Sequence, residues 1–300
     1  MAAIAAPAGR RLGLPFRRRR RSRRLPVVSM VVLGLIVLLA LFGGLITGGG
    51  ASKGDLSASL APPVWASDGS WDHPLGTDSL GRDVLARLIA GARTTLLVGG
   101  AGVALAGFIG SLVGLLSGYF GGLVDTVLMR ITDIVLAIPL LVLGLAVATV
   151  LGRGTGNVIV VLTVITWTFY ARLIRSEVLR LRETEYVASA RLSGVTHRRI
   201  MRRHILPNIL PTIVVVATLQ VGYTIVVAAS LSFLGLGVPD NVPEWGLMLA
   251  EGQSYVSSAW WLSVLPGVAL AATVLSANLF GDWLRDRLDP NVTLDRGGPA

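Results

Sequence analysis

Six stretches of the chain run free of charged side chains, and polar or arginine-rich segments separate them. Val27–Ile46 gives 20 residues, Thr94–Ser117 gives 24 and Ile134–Leu151 gives 18. Asn157–Ala171 gives 15, Ile209–Leu236 gives 28 and Trp260–Phe280 gives 21. A helix needs roughly 20 apolar residues to cross the hydrocarbon core of a bilayer, with about 17–25 usual. Five runs meet that length, and the fourth gains reach because Arg172 and Arg175 can snorkel from its end. The pattern predicts an all-α, polytopic membrane protein with six transmembrane helices. Its parts are a tail 1–26, a first span 27–46, an extracytoplasmic segment 47–93, a five-helix core 94–281 and a tail 282–300.

Within this frame, Gly110, Gly114 and Gly118 recur every four residues in the second run. Such a stripe lets another helix approach closely, either inside the chain or on a partner subunit. Pro139, Pro211 and Pro266 sit inside or near span starts, where kinks are tolerated because neighbouring helices satisfy the freed carbonyls. In the outer segment, "HPLGTDSLGRDVLARLIAGART" reads as a turn, then Thr77 or Asp78 as N-cap. An amphipathic surface helix from Ser79 follows, with Leu80, Val84, Leu85 and Leu88 on one face. If Asp78 is only a cap, Asp78→Asn is tolerated, because Asn also caps well. Asp72, His73, Asp78 and Asp83 have a competing reading as metal ligands, but one histidine among carboxylates is a weak signal.

Composition agrees with the pattern. The 300 residues are 53% hydrophobic and 15% charged, with mean hydropathy +0.69, too apolar for an ordinary soluble domain. Cysteine is absent, which excludes disulfides, thiolate nucleophiles and Cys-based metal sites. The net charge of +10 changes the picture only through its placement. Nine of the 27 Lys and Arg residues lie in 1–26 and nine between Arg172 and Arg203, whereas the loop 237–259 carries Asp240, Glu244 and Glu251 with neither Lys nor Arg. With six spans, the positive-inside rule places both termini and the Arg172–Arg203 segment in the cytoplasm. Trp260, Trp261 and Trp283 bracket the last span as interfacial anchors. The tail is expected to lie against anionic headgroups rather than on nucleic acid. The first run, 20 residues long, exceeds the about 7–15 residues of a secretory h-region, so it is expected to remain as a span.

Several chemistries are missing. No run carries a charged residue, and the absence of a carboxylate disfavours a proton- or sodium-coupled carrier. No Gly-x-x-x-x-Gly-Lys phosphate loop is present, and His73, His197 and His204 all lie outside the runs. No catalytic residue and no metal site are expected on this chain, and its energy source must lie elsewhere. Gln220, Tyr223, Thr224 and Asn278 are the polar span residues offered for a translocation path.

The most unusual stretch is "EYVASARLSGVTHRRIMRRHILP", residues 185–207, with five arginines and two histidines between apolar runs. Ile174, Val178, Leu181, Tyr186 and Leu192 fall on a helix continuing from the fourth span, which Gly194 breaks as a left-handed C-cap. Thr196 caps a second helix to about Ile205. Ile200, Met201, His204 and Ile205 form one face of it, and Arg198, Arg199, Arg202 and Arg203 the other; Pro207 ends it. By physics alone, an elbow of this kind suits a headgroup-bound helix as well as a docking device. Just before the third run, Arg130 and Asp133 at i,i+3 are spaced to pair.

The stretch resembles the cytoplasmic EAA loop of ATP-binding-cassette importer permeases, Glu-Ala-Ala-x-x-x-Gly. Gly194 matches the motif glycine, and Ala188, Ser189 and Ala190 occupy the Glu-Ala-Ala positions. Ala188 and Ser189 depart from the motif, so nearby Glu185 is the residue left to replace the acidic side chain. "HPLGTDSLGRDVLARLIAGART", "HILPNILPTI", "ASLSFLGLGV", "EWGLMLAEG" and "NLFGDWLRDRLDP" resemble the C-type subunit of dipeptide, oligopeptide and nickel permeases. The resemblance implies a heteromeric importer in the bacterial inner membrane. Its other members are a second six-span permease, two ATPase subunits that hold ATP and Mg2+, and an extracytoplasmic binding protein. The coupling contact would comprise Glu185, Ala188, Ser189, Ala190, Gly194, Thr196, His197, Ile200, Met201 and His204 within the loop 177–207. Short peptides are the expected cargo, with nickel chelates second and an ion-coupled carrier as the reading from another class.

Overall fold

The computed structural model describes residues 26–48 and 50–288; the Arg-rich tail up to residue 25 and the chain from 289 onward lie outside the described residues. Ten α-helices follow in order: α1 (Val27–Thr47), α2 (Val84–Phe120), α3 (Gly122–Ala137), α4 (Leu140–Leu151), α5 (Thr155–Arg182), α6 (Glu185–Leu192), α7 (His197–Ile200), α8 (Leu206–Phe233), α9 (Trp245–Gln253) and α10 (Trp261–Leu288). Five helices are long and apolar enough to cross a membrane, six if the bent pair α3–α4 counts as one span. Their apolar side chains are widely exposed, as lipid requires: Leu45 and Val28 of α1 are about four-fifths open.

The axis of the molecule is α2, whose 37 residues reach about 55 Å at 1.5 Å per residue. Its glycine stripe packs inside the chain, against α5. A Cβ on Gly114 would lie 2.6 Å from the Ala171 carbonyl oxygen, and one on Gly118 would lie 2.9 Å from that of Arg175. Glycine is therefore required here by close helix approach. A central core joins α2, α4, α5, α8 and α9 through Val98, Ala148, Leu162, Leu231 and Leu247. A second core at the N-terminal end of α2 packs Ile36, Val84, Trp245 and Trp261, and a third at its C-terminal end packs Tyr119, Ile174, Val178, Ile200 and Ile209.

The third span departs from a straight helix. Pro139 removes a backbone donor and forces Ile138 into extended geometry (φ −88°, ψ 129°), so α3 and α4 meet at 94°. The 12-residue α4 reaches only about 18 Å, short of the about 30 Å hydrocarbon core. Arg130 and Asp133 do not pair; Asp133 binds Arg172 of α5 at 2.6 Å, and Asp125 takes a fork from Arg175 at 2.6 Å on both oxygens. Long arginines on the facing helix reach these carboxylates more readily than a neighbour on α3.

The separate surface helix expected from Ser79 does not form. The Asp83 side chain caps at the Ala86 amide (2.7 Å), and the helix then runs unbroken from Val84 through the second span. Thr77 and Asp78 are not its cap. Thr77 is buried and accepts from the Ala61 amide at 2.8 Å, holding the preceding loop. Asp78 is buried too, accepting from the Arg82 amide (2.9 Å) and Nε (2.6 Å) and from Arg87. Glu251 of α9 completes the cluster, 3.2 Å from Arg82 Nη2 and 2.8 Å from Arg87 Nη1. Burial pushes the Asp78 carboxyl up, but the Arg82 amide and the guanidinium groups of Arg87 and Arg82 outweigh it and hold it below 3.8. His73 Nδ1 sits 3.0 Å from Asp83, so these residues act as pairs and caps.

Candidate functional site

The elbow at residues 183–205 is built on the third core, at the C-terminal end of α2. The helix of the fourth span stops at Arg182, and α6 starts afresh at Glu185. Ile174, Val178 and Leu181 are buried, but the break turns α6 so that Val187 faces inward; Tyr186 is exposed and Leu192 almost entirely so. The expectation of one helix continuing from the fourth span to Leu192 therefore fails beyond Arg182. Gly194 has φ +73°, and the Val195 amide reaches the Ala190 carbonyl at 3.1 Å while the Gly194 amide reaches that of Arg191 at 3.0 Å. That is the Schellman pattern, in which a left-handed residue satisfies the last carbonyls of the helix.

Thr196 has the extended backbone of an N-cap (φ −62°, ψ 146°) but makes no side-chain cap bond. Ile200 and Ile205 are fully buried, Met201 and His204 half-buried, and Arg198, Arg199, Arg202 and Arg203 exposed. None of the four arginines pairs with a carboxylate among the described residues. The second arm does not end at Pro207. One π-helical turn, Met201–Ile205, closes with the Leu206 amide on the Met201 carbonyl and leads straight into α8. Proline cannot donate and crowds the carbonyl four residues back; widening the turn removes that clash without breaking the helix. The arm and the fifth span are therefore one rod of 37 residues, His197–Phe233.

Glu185 is exposed in the first turn of α6, where a carboxylate suits the helix dipole; Ala188 and Ser189 are exposed and Ala190 half-buried. A residue missed in the sequence organises the inner side. Tyr119, at the end of α2, is buried, and its phenol oxygen lies 2.8 Å from His197 Nδ1. The Arg191 guanidinium stands 5.4 Å over its ring. No short-range pattern marks Tyr119, because its partners come 72 and 78 positions later (191 − 119 and 197 − 119).

The polar span residues divide. Tyr223 and Asn278 are exposed and Gln220 half-buried, whereas Thr224 is fully buried with its methyl group against Gly102 of α2. A cavity of about 380 Å³ between α8, α9 and α10 is lined by Val226, Ser230 and Phe233, which continue the Tyr223 face at helical spacing. Apolar Phe233 carried no signal for it.

Comparison with known proteins gives the chain its relatives. Residues 110–294 match the family of binding-protein-dependent transport system inner membrane components, and residues 15–63 match the N-terminal transmembrane domain of oligopeptide transport permease C. The chain is 41% identical over 268 residues to a probable D,D-dipeptide transport system permease of Escherichia coli, covering 89% of this chain and 88% of that one. It is 41% identical over 264 residues to a di/tripeptide transport system permease of Pseudomonas aeruginosa, covering 88% and 87%. It is 38% identical to a dipeptide transport system permease of Alkalihalophilus pseudofirmus, covering 91% and 88%. Among solved structures, an inward-facing MetNI methionine ABC transporter chain matches with TM-score 0.56 and 22% identity over 68% of this chain and 96% of that one, a likeness of fold.

Proposed function

The chain belongs to the binding-protein-dependent transport system inner membrane components, and on that premise we propose that it forms half of a translocation path for short peptides and couples that path to ATP hydrolysed on partner chains. The relatives named for dipeptides, D,D-dipeptides and di/tripeptides favour peptide cargo over nickel chelates. The assembly adds a second homologous permease, two ATPase subunits (or one used twice) and an extracytoplasmic binding protein. Both termini and the elbow face the cytoplasm, in keeping with the arginine asymmetry.

One observation carries the coupling role: an exposed basic tip on a fixed base. Gly194 turns the chain, Val187, Ile200 and Ile205 anchor both arms in the core, and the second arm is continuous with α8. A docked ATPase that closes on ATP has different contacts with the elbow in its two states. That difference in free energy biases the spans toward one orientation or the other. Gln220, Tyr223 and Asn278, with the cavity beside Phe233, supply this chain's side of the path; Thr224 packs inside it. ATP and Mg2+ belong to the partners.

The experiment is uptake by vesicles carrying the complete complex, with ATP inside and binding protein outside, using labelled alanine di- and tripeptides. Uptake should require both ATP and binding protein. Gly194→Val places a β-branched residue at positive φ, a strain of roughly 1–2 kcal/mol, and should lower uptake while membrane insertion is retained. ATP-independent uptake, or normal uptake by a normally inserted Gly194→Val complex, would sink the reading.

A further inference from the structure

We infer that Tyr119 is a positioning residue for the elbow, clamping both arms of the Gly194 turn to the cytoplasmic end of α2; the inference rests on the coupling role proposed above. Both arms reach this side chain. Arg191, on the last turn of α6, stands 5.4 Å over the ring, and His197, the first residue of α7, places Nδ1 2.8 Å from the phenol oxygen. Tyr119 is only 4% exposed, while Arg191 and His197 reach it from the exposed side of the elbow. Phe120 adds a second ring 6.2 Å from His197.

The clamp is useful only if its base is fixed, and it is. Arg182 Nη1 donates to the Gly118 carbonyl at 3.2 Å and to that of Tyr119 at 3.4 Å, a cation placed on helix-terminal carbonyls. Ser117 bonds Asp125, which Arg175 grips with two hydrogen bonds of 2.6 Å. The end of α2 is thus tied to α3 and α5 by directional bonds.

The turn is closed locally by the Gly194 and Val195 amides on the Arg191 and Ala190 carbonyls, bonds that do not reach the end of α2. A Cβ built on Gly194 meets nothing within 4 Å, and the remaining anchors of the elbow, Val187, Val195, Ile200 and Ile205, are apolar contacts without direction. Apolar packing holds the arms down but leaves the angle between them soft. One hydrogen bond and one cation–π contact to the same buried side chain set that angle, and a lever transmits a push only when its angle is set.

The test uses the complete complex in lipid nanodiscs, with ATP hydrolysis measured with and without binding protein plus a mixture of alanine di- and tripeptides. Tyr119→Phe keeps the ring and the Arg191 contact and removes only the hydroxyl. The ratio of stimulated to unstimulated hydrolysis should fall about fivefold, the effect of one ordinary hydrogen bond. Tyr119→Leu should lower it further. His197→Ala should match Tyr119→Phe, the two together should be no worse than either, and His197→Asn, whose amide reaches the Nδ1 position, should restore the ratio. Hydrogen exchange at residues 190–200 should quicken in Tyr119→Phe. If Tyr119→Leu fails to assemble, Tyr119→Phe and His197→Ala carry the test. Unchanged stimulation and exchange in these variants, with stimulation lost in Gly194→Val, overturns the clamp and leaves the elbow's coupling role standing. Stimulation retained in Gly194→Val removes the coupling role and the clamp with it.

Discussion

The two ends of α2 handle arginine in opposite ways. At the N-terminal end, Arg82 and Arg87 are buried and matched within the chain by Asp78 and Glu251. Beside the C-terminal end, Arg198, Arg199, Arg202 and Arg203 are exposed and find no carboxylate among the described residues. A buried charge must be satisfied where it stands, so the outer cluster fixes the loop, α2 and α9 as one body. An exposed charge costs little when left alone and stays available to another chain. The N-terminal end reads as a lock and the C-terminal end as a plug.

Breaking the lock should have the largest effect. Asp78→Ala leaves two guanidinium groups buried beside Glu251 alone and should cost about 3–5 kcal/mol, the usual penalty for removing one partner of a buried ionic cluster. Thermal unfolding of the detergent-solubilised chain reads it directly. Asp78→Asn should destabilise as well, the reverse of what a capping role implies. A wild-type melting temperature in Asp78→Asn would show that the cluster is not held by charge.

The rod joining the two ends comes next. Gly114→Val drives a side chain into the Ala171 carbonyl, where a Cβ has only 2.6 Å, and such overpacking costs typically about 1–3 kcal/mol. Recovery of folded protein should drop, whereas the same change at Gly100, where a Cβ meets nothing within 4 Å, should be mild.

Acid sharpens the comparison at smaller cost. Because the Asp78 carboxyl is held below 3.8, its contribution is complete above that pH and is lost as pH falls through its lowered value. The stability difference between wild type and Asp78→Asn should therefore be constant from neutral pH to about 4 and shrink below it. A difference that shrinks already between pH 7 and 5 would contradict the assignment.

At the plug, Arg198→Ala with Arg199→Ala should leave stability within about 0.5 kcal/mol, as surface changes do. Recovery of the ATPase subunits with the permease should nevertheless fall. A marked loss of stability with normal ATPase recovery would make these arginines structural.

Much of this was legible in order and spacing. Charge-free runs gave the spans, and Gly194 in its polar setting gave the elbow, because both signals are local. The misses share one cause: contacts distant in sequence chose between local options. Asp78 resembles a cap until Glu251 arrives from α9. Ser79–Leu88 has the periodicity of a surface helix, but Asp83 starts the helix later and the second span continues it. Pro207 looks like a stop, yet a π-turn absorbs it. Tyr119 looks like the last aromatic of a span, and only the fold brings Arg191 and His197 to it.

The central claim is that the elbow meets an ATPase subunit, and its contacts can be read directly. The chain has no cysteine, so one introduced at exposed Arg199 is unique in it. With a bifunctional thiol–amine cross-linker in membranes containing the complete complex, Arg199→Cys should yield an adduct with an ATPase subunit whose amount changes with ATP. A cysteine replacing Ser57 in the outer segment should yield no such adduct. An Arg199→Cys that forms no ATPase adduct while the complex is intact, or that forms one unaffected by ATP, would contradict the account.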